Sequence, residues 1–180
     1  MEGLYERETE LGALSAALSA ARSGAGSLVV IEGPAGIGKS RLLAEARVLA
    51  GALGVAVLSA SGIELERDAS LGVAGELFTP VLAPASAGER ARLLSGHASL
   101  GAGLFDPAAP LPEDPSALVR GLYWLTVNAV AAGAAAPGAG PGSPDGERTP
   151  GLLIAVDDAQ WADRPSLSYL AYLAARIDEL

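Results

Sequence analysis

The 180-residue chain has no cysteine, a single histidine (His97), a single lysine (Lys39) and only 4% aromatic residues. The lack of cysteine excludes disulfides, thiolate metal sites and thiol nucleophiles, and fits a cytoplasmic location. Few aromatics leave a core of Leu, Val and Ala with few large anchors, so a modest stability is expected. Positive charge is scarce as well. Against 21 Asp and Glu stand 12 Lys and Arg, a net charge of −9, which opposes direct binding of this segment to nucleic acid or to an anionic membrane. The longest uncharged stretch, Gly121 to Pro144, is broken by Thr126, Asn128 and many Gly and Pro, and is no membrane span. Acidic Glu2 directly after Met1 argues against a signal peptide, and Asp178-Glu179-Leu180 lacks the preceding Lys or His of a retrieval tail. His97, alone among Ser and Gly, reads as a surface residue.

What is present gathers around that single lysine. Gly33-Pro34-Ala35-Gly36-Ile37-Gly38-Lys39-Ser40 is a full match to the phosphate-loop pattern G-x-x-x-x-G-K-[ST]. All other basic side chains are arginines, whose wide planar forks do not fit where a backbone wraps around phosphates. Leu28 to Glu32 reads as a short buried strand entering the loop. Leu42, Leu43, Ala46, Leu49 and Ala50 then repeat at helical spacing until Gly51 and Gly54. Strand, loop and helix in this order aim a helix N-terminus at an anion. The glycines allow inward-turned N–H groups, Lys39 would neutralise the β and γ phosphates, and the Ser40 hydroxyl would ligate Mg²⁺.

Leu11, Leu14 and Leu18 mark a helix from about Glu8 to Arg22. Val55 to Ala60 reads as a second buried strand, making a parallel β-α-β unit with the strand at 28–32. Helices follow at Leu71 to Leu82, with Pro80 near the end, after the capping box Ser86 to Glu89, and after Asp114-Pro115, where Leu118, Leu122, Leu125 and Ala129 form a stripe. Tyr123 and Trp124 read as ordinary packing residues. Residues 133–151 collapse into Ala, Gly and Pro and read as a flexible loop within one domain spanning 1–180.

Directly after it, Leu152 to Val156 is an apolar strand that runs into Asp157-Asp158, the second signature of a phosphate-loop NTPase. One carboxylate, Asp157, would serve Mg²⁺, and the next, Asp158, would orient or deprotonate an attacking water. A last helix carries Leu167, Leu170, Ala174 and Ile177 after Pro165.

Leu4-Tyr5-Glu6-Arg7-Glu8-Thr9-Glu10-Leu11 resembles the box that opens the nucleotide-binding domain of the large ATP-binding LuxR-type transcriptional regulators. These belong to the STAND class, related to AAA ATPases. Glu64 to Arg67, Glu76 to Pro80 and Leu152 to Asp163 resemble further blocks of that family, in the right order. The resemblance implies an α/β P-loop NTPase fold, a parallel sheet flanked by helices, with a helical insertion between the two signatures and an incomplete C-terminal part. It also implies that Arg7 lies near the adenine, that Gly33 to Ser40 and Arg41 hold the phosphates of ATP or ADP, and that Asp157 serves Mg²⁺. Many AAA ATPases have glutamate at the position of Asp158, and the shorter side chain suits a slow switch.

Three functions compete. The chain is a regulatory module that switches between ADP and ATP states, with regulatory and DNA-binding domains downstream. Alternatively it is a stand-alone ATPase or kinase, or a truncated interaction fragment that binds nucleotide weakly. An exposed edge beside the strand at 28–32 would bring marginal stability or self-association. The residues themselves do not separate ATP from GTP.

Overall fold

The computed structural model describes residues 7–67, 71–132 and 151–179. Leu4, Tyr5 and Glu6 of the opening box, and all of the Ala/Gly/Pro-rich stretch except Gly151, lie outside the described residues. Two apolar strands, β1 (Ala56–Ser61) and β2 (Leu152–Asp157), pair in parallel with Ala56 opposite Leu152 and Ser61 opposite Asp157. Parallel pairing puts both C-terminal ends on one edge, so the exit from β1 lies beside the paired aspartates.

Successive side chains of a strand point to opposite faces, and here both faces are covered. Leu152, Ile154 and Val156 pack with Leu58 and Ala60 on one side, against α3 (Gly72–Leu82), α5 (Pro115–Ala131) and α6 (Arg164–Ala174). Phe78, Leu77, Leu122, Leu125 and Tyr169 are the large buried side chains of this core. Leu153 and Val57 face the other way, toward Leu18 of α1 (Glu8–Ala21) and Leu49 and Ala50 of α2 (Lys39–Ala52). The short helix α4 (Ala87–Leu93) begins with the expected capping box: the Ser86 Oγ accepts from the Glu89 N–H, and the Ser86 N–H donates to the Glu89 carboxylate. A 3-10 segment, Gly96–Leu104, leads toward α5. On it His97 is exposed and stacks on the ring of Trp124 at 5.6 Å, while Tyr123 is buried.

The expected strand at 28–32 does not form. Its residues pair with no strand among the described residues, and Leu28, Val29 and Val30 are 67%, 48% and 67% exposed. Only Ile31 reaches a core, packing with Leu14, Leu42 and Ala46. Apolar β-branched composition fits a buried strand, but a strand exists only where a neighbour completes its ladder. The partner of β1 is therefore β2 and not the segment before the loop, so the expected β-α-β unit is corrected. The last helix is also rotated from the expected stripe. Ser166, Tyr169 and Leu173 are buried on α6, whereas Leu167 is 42% exposed.

The phase of α6 is set by its N-cap. Asp163 is buried, and its Oδ1 accepts from the N–H of Ser166 at 2.8 Å and of Leu71 at 2.9 Å. Its Oδ2 accepts from the Ser166 hydroxyl at 2.6 Å and from the N–H of Val73 at 3.3 Å. The Ser166 Oγ in turn accepts from the N–H of Ala74. One carboxylate thus caps α6 and fastens the start of α3, where Leu71 takes a left-handed φ of 63°. No helix among the described residues is long and apolar enough to cross a membrane.

Candidate functional site

Gly36 and Gly38 have φ of 77° and 97°, the left-handed region that a side chain makes costly. Gly38 is the N-cap of α2 and brings no side chain to its first-turn N–H groups. Those groups and the positive end of the helix therefore suit an incoming anion. Across the loop the Lys39 Nζ donates to the carbonyls of Gly33 at 2.9 Å and Pro34 at 3.1 Å, so the ammonium is tied at the mouth of its own loop.

The loop forms one wall of a cavity of about 800 Å³. Gly33, Ala35, Gly36, Gly38, Lys39 and Ser40 line it together with Ile31 and Glu32, and Asp158, Gln160 and Trp161 complete the lining. Of the residues expected at the site, the cavity thus brings together most of the loop and Asp158. Pro34 and Ile37 contribute through backbone: the Ile37 N–H donates to Pro34, whose carbonyl also holds Lys39. Arg41 lies outside the lining, with its Nε 3.5 Å from the Glu45 carboxylate. Arg7 also lies outside it, at the start of α1. Its guanidinium pairs with Glu10 at 2.9 Å and donates to the carbonyl of Ile37 at 2.8 Å.

Asp157 ends β2, and its Oδ1 accepts from the N–H of Asp158 at 3.0 Å. Asp158 has a left-handed backbone, φ 46° and ψ 43°, and its carbonyl accepts from the N–H of Trp161 in the 3-10 turn Ala159–Trp161. The Gln160 Nε2 donates to the Asp158 Oδ1 at 2.8 Å. Among the described residues no group of three or more His, Cys, Asp or Glu is placed to hold a metal. Of the two expected metal ligands, Ser40 lines the cavity, whereas Asp157 lies outside its lining at the end of β2.

Glu32, Gln160 and Trp161 were not among the expected site residues. Gln160 and Trp161 stand in the block after the paired aspartates, and their spacing from Asp158 was the signal: a single tight turn carries all three to the cavity.

A parallel sheet with helices on both faces, a glycine loop opening a helix and an acidic strand end define an α/β nucleotide-binding fold of the P-loop kind. The chain belongs to the AAA ATPase domain family, whose model matches residues 3–179. Comparison with curated proteins and with solved structures finds no significant match.

Proposed function

We propose that this chain is the ATP-binding switch module of a LuxR-type transcriptional regulator, holding Mg-ATP or Mg-ADP with slow or no hydrolysis. The observation that carries the reading is a cavity lined by both the Lys39 loop and Asp158. Family membership supports nucleotide binding, and the blocks around Arg7, Glu64, Glu76 and Asp157 support the narrower assignment.

In this reading the N–H groups of Gly36 to Ser40 surround the β and γ phosphates, and Lys39 exchanges its two carbonyl partners for phosphate oxygens. Ser40 and Asp157 hold Mg²⁺, which when bound offsets phosphate charge. Asp158 orients a water at the open side of the cavity. Among the described residues Lys39 is the only cation that lines the cavity. An arginine finger is worth about 10³ to 10⁵ in rate, and a lining whose described residues offer Lys39 as the one cation suits a binding switch better than a stand-alone ATPase or kinase. Differential contact to the γ-phosphate then separates the two states.

The unpaired segment 28–32, which feeds the loop without a ladder, favours the second reading, a weakly binding interaction fragment. Titration calorimetry with Mg-ATP and Mg-ADP on the wild-type chain and Lys39→Ala, followed by a phosphate-release assay, separates the readings. Binding lost in the variant, with turnover near zero in the wild type, supports the switch. Fast turnover with a defined acceptor would replace it with an enzyme, and no binding by the wild type would leave the fragment.

A further inference from the structure

Three charged side chains line the cavity, Lys39, Glu32 and Asp158, and no ion pair joins Lys39 to Asp158. Each of these two is tied back on its own side. The ammonium rests on the carbonyls of Gly33 and Pro34, and the Asp158 carboxylate on the side-chain amide of Gln160 at 2.8 Å.

The backbone under Asp158 has little freedom. The Gly62 N–H donates to the carbonyl of Asp157 at 3.0 Å, so the exit from β1 runs flat beneath the acidic turn. A Cβ on Gly62 would collide with the carbonyl oxygen of Asp158 and approach the Ala162 nitrogen to 2.8 Å and the Trp161 carbonyl carbon to 3.0 Å. At the other end of that crossing the Ser61 N–H is held by the Glu76 carboxylate at 3.0 Å. With the turn clamped, what remains free at Asp158 is its side chain, and Gln160 is the group that fixes it.

We propose that Gln160 is a positioning residue that keeps the Asp158 carboxylate on its own wall, and so keeps Lys39 available to phosphate. Without the amide, the carboxylate is free to turn toward Lys39, which lines the same cavity, and compete with phosphate for it. Gln160 is exposed and makes this bond at the surface, so its removal leaves the apolar cores intact.

The inference rests on the nucleotide-binding reading, and a double-mutant cycle tests it apart from that reading. ADP affinity is measured in EDTA, where no metal contributes, for wild type, Gln160→Ala, Asp158→Asn and the double variant, each checked by far-UV circular dichroism. Gln160→Ala is expected to weaken ADP binding at least fivefold. In the background carrying Asp158→Asn, the same substitution is expected to change it less than twofold, because the carboxylate that Gln160 holds is gone. A Gln160→Ala variant that binds like wild type overturns the inference, as does a loss of equal size in both backgrounds. Failure of the wild type to bind ADP, with or without Mg²⁺, overturns the nucleotide-binding reading and the inference with it.

Discussion

The guanidinium of Arg7 donates to the main-chain carbonyl of Ile37 at 2.8 Å, joining the first turn of α1 to the middle of the glycine loop. The same side chain pairs with Glu10, which fixes its direction. Arg7→Ala is therefore expected to loosen the loop, weakening nucleotide binding about fivefold, the order of one hydrogen bond to a charged group at a partly exposed site. Comparing ADP with GDP separates the loop role from an adenine contact. An equal loss for both bases fits the bond to Ile37, whereas a loss confined to ADP would place Arg7 at the base.

Asp163 makes the stability of the chain depend on pH. Burial pushes its carboxyl up, but the Ser166 hydroxyl and the N–H groups of Ser166, Leu71 and Val73 outweigh it and hold the group below its ordinary value of 3.8. A pKa lowered by folding contributes stability that is fully present above 3.8 and is lost as pH falls through the lower folded value. Asp163→Asn should therefore lower the melting temperature at pH 7, with the gap to wild type closing as pH falls below 3.8 and through the lower folded value. Asp163→Ala leaves buried N–H groups without an acceptor and should cost about 3 kcal/mol, read from urea unfolding. A gap that stays constant from pH 7 to pH 3 would contradict this account.

Features whose cause is local were legible in the sequence. The loop glycines and Lys39 carry their geometry in consecutive residues, and Ser86 with Glu89 caps α4 through a four-residue pattern. Features set by distant chain were not. Leu28 to Val30 have the composition of a buried strand, yet pairing depends on a neighbour that local pattern does not reveal. The phase of α6 follows from Asp163 fastening α3, so Leu167 faces solvent although it fits an apolar stripe. Gly62 looks like any residue after a strand, and its requirement appears only where it passes under Asp158 to Ala162.

The exposed run before the loop predicts self-association. Leu28 and Val30 are each 67% exposed, and their backbone groups enter no ladder among the described residues. Such an edge pairs readily with another chain. Sedimentation velocity at micromolar concentrations should show reversible association that Leu28→Thr with Val30→Thr reduces toward monomer, while circular dichroism stays unchanged. A concentration-independent monomer in the wild type, melting cooperatively at high temperature, would contradict both the association and the marginal stability expected with it.

Gly62→Ala tests whether the acidic turn governs metal-linked binding. The added methyl meets backbone atoms of Asp158, Trp161 and Ala162, none of which moves by side-chain rotation, so the turn itself must shift. Overpacking of this kind costs about 1 to 3 kcal/mol and leaves most of the fold in place, because Ala162 is the one residue of the large core under α3, α5 and α6 that the methyl meets. Asp157 and Asp158 both move with the turn, whereas the loop from Gly33 to Ser40 does not. ADP affinity in EDTA should therefore fall less than twofold, while the gain from adding Mg²⁺ should shrink at least fivefold. The ratio of the two dissociation constants, with and without Mg²⁺, checks this directly, and an unchanged ratio would mean that the position of the turn has no part in holding the metal.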